Sequence, residues 1–440
     1  MGKRVFLMVI DSMGCGELPD AYKWGDEGSN TLRTIRQSKD FNCPNMVKMG
    51  LLSIDGVTDS VPKMSASENL SGIKHVTGEF GSMAPSGVES DNAVISELYN
   101  VESDAARDSA VRLCNIPTAA FGRLAEVSMG KDTTTGHWEI AGLVSEKPMP
   151  TFPDGFPEEF LDEYSKRTGH KWLCNKVYSG TEVIKDYGRQ QIEENALIIY
   201  TSADSVFQIA AHEESVPVPE LYRCCEIARE MLTGDLAVGR VIARPYTGDW
   251  PYTRTSNRHD YSVVPPQDTM LDVLKNAGFE TISVGKIYDI FAGKGLSESN
   301  RTVSNADGLE KTKAMIGRDF EGLCFINLVE TDSTYGHRND IDGYAKAVSE
   351  IDACLGEIVP RLREDDILIV TADHGCDPGT PSTDHSREYI PMLVTGPKIK
   401  AGTNLGTRTS FGDIAASILE YFALPQGKII GTSFLKQIIL

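Results

Sequence analysis

Apolar residues fall in short, unbroken runs near both ends of the chain. In the first run, Arg4–Ile10, the apolar residues follow Arg4 and stop at Asp11 and Ser12. A continuous apolar run, unlike an alternating one, is typical of a strand that is buried on both faces of a sheet. Similar runs predict further buried strands at Thr281–Val284, Cys324–Val329, Ile367–Val370 and Met392–Val394.

Between these runs, apolar residues recur at helical spacing. A helix is predicted from a capping Asp268 to Gly278, and another near the C-terminus ends before Pro425. The most regular helix follows Asp340, where steps of three and four residues place one apolar stripe on a single face. Strands that alternate with helices predict an α/β fold with a layered core. The stripe consists of Tyr344, Val348, Ile351, Leu355, Ile358 and Leu362.

The middle of the chain has a different pattern, because proline-rich stretches open and close it. We interpret residues 144–262 as a smaller inserted α+β cap domain, and residues 1–143 and 263–440 as one discontinuous core. A separate stretch from Ser60 to Asp108, rich in Ser, Asp, Glu and Gly, is expected to be a surface excursion from that core. The cap elements are predicted at Leu197–Tyr200 (strand), Pro219–Leu232 (helix) and Val238–Ala243 (strand).

Composition and charge limit the possible partners. The formal charge of −20 disfavours binding to nucleic acid and to anionic membranes. No N-terminal export signal and no run of about 18 apolar residues stands in the sequence, so we expect a cytoplasmic protein without a membrane span. Nine scattered cysteines are interpreted as reduced thiols, because their spacing fits neither disulfide pairs nor a zinc site. The sequence leaves the oligomeric state open.

Side chains with catalytic chemistry concentrate in four short segments. One segment ends the first strand, and another, residues 131–139, is a hydroxyl-rich turn with three consecutive threonines. The other two follow predicted strands, so three of the four segments stand just after a buried strand. Their metal-ligating residues are Asp11, Asp332, His337, Asp373, His374 and His385.

These segments are expected to meet in space. In open α/β sheets, loops converge on ligands at the carboxyl ends of the strands. Three carboxylates and three imidazoles suit two divalent transition-metal ions with mixed nitrogen and oxygen ligands. Two such ions about 4 Å apart can position a nucleophilic oxygen and neutralise charge during phosphoryl transfer.

Each of these residues also has a purely structural interpretation. An Asp after a strand often caps a turn or a helix, and a single His is more often a satisfied polar residue than a ligand. The threonines at 133–135 can be a β-branched strand end that meets a turn. Their combination in the post-strand loops favours the metal site.

Five motifs resemble those of the phosphopentomutase family, in the alkaline phosphatase superfamily, and they span the chain in the family's order. The resemblance implies a metal-binding α/β core of the alkaline phosphatase kind with an inserted cap. It implies an enzyme that moves phosphate between the 1- and 5-positions of ribose or 2-deoxyribose, through a phosphorylated enzyme and a bisphosphate intermediate. The motifs are residues 11–21, 130–139, 284–290, 335–338 and 373–378.

Roles for individual residues follow from the same resemblance. Thr133 would become phosphorylated, and its oxygen would join Asp11, Asp373 and His374 around one manganese ion. Asp332, His337 and His385 would hold a second Mn²⁺, and a sugar bisphosphate would activate the enzyme. The pentose phosphate would bind Ser202, Asp204, Arg240, Ile242 and Arg254 of the cap and Lys286 of the core, although the cationic residues among them can also form surface ion pairs.

Two departures and several alternatives accompany this resemblance. The stretch at Ser60–Asp108 is longer than the connection usual in the family. Family members more often have Asp-Phe-Asp where this chain has Glu330-Thr331-Asp332, a change beside a proposed ligand that can tune metal preference. The metal core is shared with cofactor-independent phosphoglycerate mutase, whose motif has Ser where Thr133 stands. Related phosphatases or sulfatases, and a non-catalytic metal-binding protein, are the remaining alternatives.

Overall fold

A computed structural model describes residues 2–57, 116–202 and 204–440. The predicted excursion at Ser60–Asp108 lies outside these residues. Fourteen strands occur in the described part. They are β1 (Arg4–Ile10), β2 (Ala120–Leu124), β3 (Trp172–Val177), β4 (Leu197–Thr201), β5 (Val206–His212), β6 (Arg240–Thr247), β7 (Thr253–Arg254), β8 (His259–Ser262), β9 (Glu280–Val284), β10 (Glu298–Asn300), β11 (Gly322–Leu328), β12 (Asp366–Thr371), β13 (Ile390–Thr395) and β14 (Asn404–Arg408).

Helices alternate with these strands, which gives the predicted α/β class. In chain order they are α1 (Thr31–Ile35), α2 (Pro44–Met49), α3 (Thr133–Ile140), α4 (Glu158–Thr168), α5 (Gly180–Glu194), α6 (Val218–Met231), α7 (Met270–Asn276), α8 (Ile287–Ile290), α9 (Asn305–Gly317), α10 (Ile341–Ile358), α11 (Asp413–Tyr421) and α12 (Leu435–Ile438). Within the described ranges, no helix is long and apolar enough to cross a membrane.

The larger sheet has eight strands in the order β10-β9-β11-β1-β12-β13-β2-β14. Strand β1 lies between β11 and β12 and is parallel to both. All seven of its residues are buried, as its continuous apolar run predicts. Because β11, β1 and β12 are parallel neighbours, their carboxyl ends open at the same edge of the sheet, and the three loops that follow them meet there.

The predicted core helices are present, with one wrong cap. Helix α10 begins after Asp340, whose side chain accepts a hydrogen bond from the backbone N–H of Gly343. Helix α7 is capped by Thr269 and not by the predicted Asp268, because Thr269 and Asp272 form a reciprocal capping box. Asp268 instead forms an ion pair with Lys294 at 3.2 Å.

The smaller sheet contains β3 to β8 and has its own apolar core. Its order is β3-β4-β5-β6-β7; β8 pairs with the first half of β6, at residues 240–243, whereas β7 pairs with its end, at 246–247. Alternate residues of β4 face opposite sides: Leu197 and Ile199 pack with α4 and α6, whereas Ile198 and Tyr200 pack with α5. These apolar clusters are separate from that of the larger sheet. The domain limits at 144 and 262 stay a prediction.

Candidate metal centre and cap pocket

Asp11 is held rigidly at the end of β1. Its Oδ2 accepts a hydrogen bond from Nδ2 of Asn327 at 2.9 Å, and its backbone carbonyl accepts one from the hydroxyl of Thr331 at 2.7 Å. The backbone N–H of Ser12 donates to Oδ1 of Asp373 at 3.0 Å. The loops after β1, β11 and β12 are therefore tied together through the side chains that carry the candidate ligands.

Asp332 follows β11 in a π-helical turn, Thr331–Tyr335, a distortion that often occurs at functional sites. Its two carboxylate oxygens face two imidazoles: Nε2 of His337 is 3.3 Å from Oδ2, and Nε2 of His385 is 3.5 Å from Oδ1. The Nδ1 of His337 donates to the carbonyl of Thr383 at 2.7 Å. That hydrogen bond fixes the ring and leaves Nε2 to act as a ligand.

His374 lies at the centre of the cluster and is fully buried. Its Nδ1 donates to the carbonyl of Gly375 at 3.0 Å, which leaves Nε2 available. This nitrogen is 3.4 Å from Oδ1 of Asp11 and 3.3 Å from Oδ2 of Asp373. It is also 3.2 Å from the hydroxyl oxygen of Thr133. The Thr133 hydroxyl and three candidate ligand atoms therefore share one small space.

Thr133 enters this space as the first residue of α3. Asp132 caps the helix: its Oδ1 accepts from the backbone N–H of Thr135 at 3.1 Å, and its Oδ2 accepts from the Thr135 hydroxyl at 2.6 Å. The three threonines thus begin a helix and are not the end of a strand. At this position the Thr133 hydroxyl lies at the positive end of the helix dipole, which favours an anionic group there.

Several buried ligand atoms lack a hydrogen-bond partner among the described residues. They are Oδ1 of Asp11, Oδ1 of Asp332, Oδ2 of Asp373 and Nε2 of His385. Buried polar atoms without partners are rare in native proteins and point to a missing ion or water. Ligand atoms from Asp11, Asp373 and His374, and from Asp332, His374 and His385, lie within 4.8 Å of one another in each group. These residues therefore fit two divalent cations.

The charges of the cluster also favour cations. Burial raises the pKa of Asp11, and the nearby Asp373 carboxylate raises it further. The hydrogen bond to Asp332 raises the pKa of His337 to about 11. The pKa of His374 is raised as well, because attraction by Asp373 and Asp11 outweighs its burial. The carboxylates thus attract positive charge, which divalent cations supply more strongly than protonated imidazoles do.

A second cavity of ~460 Å³ opens in the cap, beside the sheet formed by β4, β5 and β6. Five of the six predicted substrate residues line it: Ser202, Asp204, Arg240, Ile242 and Arg254. Lys286 does not. It is exposed on the core side, where it precedes α8, and α8 contacts cap strand β8.

Two further arginines of this cavity, Arg244 and Arg258, were missed from the sequence. Residues 240, 242 and 244 alternate along β6 and so share one face, a signal that the period of a strand already contains. Arg258 is paired with Asp260 at 2.7 Å, whereas Arg244 donates to the neutral Gln208 at 3.2 Å. Burial lowers the pKa of Arg244, and the charge of Arg258 lowers it further. An anion in the cavity would relieve this repulsion.

The approach of Arg254 to the cavity depends on a glycine. A Cβ atom at Gly180, the first residue of α5, would lie 2.1 Å from a guanidinium nitrogen of Arg254 and 2.6 Å from the hydroxyl of Tyr200. The Tyr200 hydroxyl is buried and lacks a hydrogen-bond partner among the residues described. Tyr200 therefore presents an unsatisfied buried donor, and Arg254 an exposed charged one, next to a helix N-terminus, which suits an anionic ligand.

Glu388 in the core was also missed, because no motif marks a buried carboxylate between loops. It accepts hydrogen bonds from the backbone N–H groups of Gly16 and Thr31 and from the hydroxyl of Ser386 at 2.7 Å. A Cβ atom at Gly14 or Gly375 would lie 2.5 Å from its carboxylate oxygens. Glu388 thus fastens the loop after β1 and the start of α1 to the segment that precedes β13, and it packs closely against Gly375 in the loop after β12.

The fold and the candidate metal centre together are those of a metal-dependent enzyme. The chain matches the Metalloenzyme superfamily over residues 3–426, and it belongs to that superfamily.

The relatives are more specific. The chain is 54% identical to a phosphopentomutase of Lachnoclostridium phytofermentans, with 99% of each chain covered. It is 48% identical to the phosphopentomutase of Caldanaerobacter subterraneus, with 100% of this chain and 99% of the relative covered. It is also 48% identical to that of Carboxydothermus hydrogenoformans, with 98% of each covered. Within the superfamily, the chain belongs to the phosphopentomutase family.

Proposed function

We propose that this enzyme interconverts the 1-phosphate and the 5-phosphate of ribose or 2-deoxyribose, with Thr133 as the residue that carries phosphate between turnovers. The observation that supports this most directly is the position of the Thr133 hydroxyl oxygen, 3.2 Å from Nε2 of His374. No other hydroxyl among the described residues has a hydrogen bond to a candidate ligand imidazole. Membership of the phosphopentomutase family supports the choice of substrate.

Two divalent cations, proposed to be Mn²⁺, complete the site. Asp11, Asp373 and His374 would hold one, and Asp332, His337 and His385 the other. When bound, such cations lower the pKa of a coordinated hydroxyl and neutralise charge on the transferred phosphoryl group. The buried carboxylate oxygens that lack hydrogen-bond partners among the described residues support the binding of cations here.

The protein's own residues orient the reaction. Asp132 holds the first turn of α3 and directs the Thr133 hydroxyl into the cluster. The backbone N–H groups of that turn stabilise the negative charge of a phosphothreonine. Asp11, Asp373 and His374 are buried whereas Thr133 is half-buried, so the cap would have to cover the phosphothreonine to exclude water that would otherwise hydrolyse it.

The cap holds the part of the substrate that does not react. Arg244 and Arg254 are proposed to bind the second phosphate, because neither has a carboxylate partner among the described residues. Asp204 would accept hydrogen bonds from sugar hydroxyls, Ser202 would accept or donate them, and Lys286 would contact the ligand from the core. Transfer of the phosphoryl group from phosphorylated Thr133 to the free sugar hydroxyl would give a pentose bisphosphate and a free Thr133 hydroxyl; the bisphosphate would turn round between cap and core and return its other phosphate to Thr133. A sugar bisphosphate would also prime the unphosphorylated enzyme.

One experiment tests the proposal directly. Purified enzyme with Mn²⁺ and a catalytic amount of a sugar bisphosphate is given ribose 1-phosphate, and ribose 5-phosphate is measured over time. We expect conversion by the wild type and none by Thr133→Ala, while Thr133→Ser, which keeps a hydroxyl, retains part of the activity. Equal rates for Thr133→Ala and the wild type would remove Thr133 from the mechanism. Free phosphate released faster than isomerisation would instead identify a phosphatase.

A further inference from the structure

His137 connects the proposed nucleophile to a proposed metal ligand. It is fully buried in α3, one turn after Thr133. Its Nδ1 lies 2.8 Å from the backbone carbonyl of Thr133 and 3.1 Å from Oδ2 of Asp373. Both neighbours are acceptors, so Nδ1 must carry the proton. One N–H group therefore lies between the residue that would accept phosphate and the carboxylate that would bind a cation.

A close approach between the backbones of α3 and the loop after β12 brings His137 and Asp373 together. A Cβ atom at Gly136 would lie 2.1 Å from the carbonyl oxygen of Asp373. Only glycine lets α3 approach the loop after β12 this closely, and the approach places His137 against the Asp373 side chain. Helix α3 therefore contacts the loop after β12 at two successive residues: Gly136 through its backbone and His137 through its imidazole.

The other ring nitrogen has no structural role in the part of the chain described. Nε2 of His137 is buried without a hydrogen-bond partner, and the ring packs against Phe325 with the ring centroids 5.8 Å apart. An apolar side chain would fill this space without burying an unsatisfied nitrogen. The polar function of the residue is therefore carried by Nδ1 alone.

We propose that His137 is a positioning residue: its Nδ1–H donates to the Thr133 carbonyl and also attracts the Asp373 carboxylate, whose Oδ2 is 3.1 Å from Nδ1, and so holds the start of α3 and the Thr133 hydroxyl beside the proposed cation site. This inference rests on the proposed roles of Thr133 and Asp373. His137 itself does not touch the substrate. Groups that orient ligand carboxylates from behind affect both metal affinity and reactivity, because they fix the direction of the ligand oxygen.

The test compares substitutions that differ in one hydrogen-bond donor. His137→Asn places an amide nitrogen where Nδ1 stands, whereas His137→Leu has nearly the same shape as Asn and no donor. Mn²⁺ affinity is measured by titration calorimetry, and the phosphorylation of Thr133 by a sugar bisphosphate is followed in a single turnover. We expect His137→Leu to weaken Mn²⁺ binding by roughly 10- to 100-fold and to slow phosphorylation about 100-fold. We expect His137→Asn to recover most of both.

Equal behaviour of the Asn and Leu variants, or wild-type values for the Leu variant, would overturn the inference. If thermal unfolding shows that His137→Leu does not fold, His137→Gln replaces it, because the Gln amide nitrogen lies one bond farther from the backbone than Nδ1. The His137→Asn variant must then bind Mn²⁺ more tightly than the His137→Gln variant, and equal affinities would overturn the inference. If the wild type binds Mn²⁺ but never forms phosphothreonine, the proposed function is refuted. The role of His137 is still decided in that case, by the Mn²⁺ affinities of the Asn and Leu variants.

Discussion

The hydroxyl oxygen of Thr133 lies 3.2 Å from Nε2 of His374, although 241 residues separate the two in the chain. Two separate structural features bring these two residues together. The order of the sheet places His374 at the end of β12, beside the ends of β1 and β11. The start of α3 places Thr133, and that start depends on a single capping side chain.

Asp132→Ala should therefore impair both stability and catalysis. Loss of the cap leaves the backbone N–H of Thr135 without its acceptor and should lower the free energy of unfolding by about 1 kcal/mol. Because the first turn of α3 then frays, we also expect slower phosphorylation of Thr133. Asp132→Asn keeps an acceptor and serves as the control, and urea unfolding with single-turnover kinetics measures both effects. If Ala matched Asn in both measurements, the cap would have no role in the placement of Thr133.

Removal of metal should lower the melting temperature. The cluster brings Asp11, Asp332 and Asp373 together in a buried space, and without cations their mutual repulsion opposes folding. A cation at 100 times its dissociation constant should add about 2.7 kcal/mol for each site. Calorimetric melting with EDTA, and then with excess Mn²⁺, measures the difference. Asp332→Asn should show a smaller response to Mn²⁺ than the wild type, and a melting temperature unaffected by EDTA would contradict the proposed centre.

Glu388 should make stability depend on pH in an unusual direction. Burial raises the pKa of its carboxyl from 4.5 to about 7, despite the hydrogen bonds from Ser386 and from the backbone N–H groups of Gly16 and Thr31. Between these values the folded protein binds more protons than the unfolded chain. The contribution of Glu388 is therefore fully present below about pH 4.5 and is lost as the pH rises through about 7, a decrease of roughly 3 kcal/mol in the free energy of unfolding.

Glu388→Gln should remove this part of the pH dependence, because an amide does not titrate. Urea unfolding of the EDTA-treated protein, repeated between about pH 4.5 and 8, gives the slope for each variant. Glu364→Gln, which removes a carboxylate whose side chain is 80% exposed, is the matched control. An unchanged slope in Glu388→Gln would show that this carboxyl does not titrate in that range.

Arg254→Gln should raise KM and leave kcat less affected. The guanidinium faces the cap cavity beside Gly180 and Tyr200, far in sequence from Thr133. Loss of a charged hydrogen bond worth about 1.5–3 kcal/mol corresponds to a roughly 10- to 100-fold higher KM. Arg189→Gln is the control, since Arg189 is exposed on the outer face of α5 and pairs with Glu193. Equal KM values for the two variants would place the second phosphate elsewhere.

The sequence predicted the core strands well because burial on both faces leaves an unmistakable apolar run. It also predicted which residues meet, since Asp11, Asp332 and Asp373 all follow such runs and parallel neighbours end at one edge. The confirmed α/β class follows from the same pattern. The assignment of ligands to each cation stays a proposal, because His374 contacts both groups of ligand atoms.

Other features depend on contacts that the sequence does not record. Thr269 caps α7 in place of the predicted Asp268, because Asp272 forms a reciprocal capping box with Thr269. The separation of Lys286 from the cap cavity reflects its position beside a core strand. His137 lies against the side chain of Asp373, and Glu388 accepts from the backbone N–H groups of Gly16 and Thr31, so only the folded chain reveals these distant partners.

The central place of β1 has a consequence for biosynthesis. Both of its neighbours, β11 and β12, are encoded more than 300 residues later. At about 5–20 residues per second, the ribosome needs on the order of tens of seconds to deliver them. During that interval, the most apolar strand of the nascent chain has no native partner and exposes both edges. We therefore expect emerging chains to depend on chaperones that shield such segments, with productive folding delayed until the C-terminal half has been released.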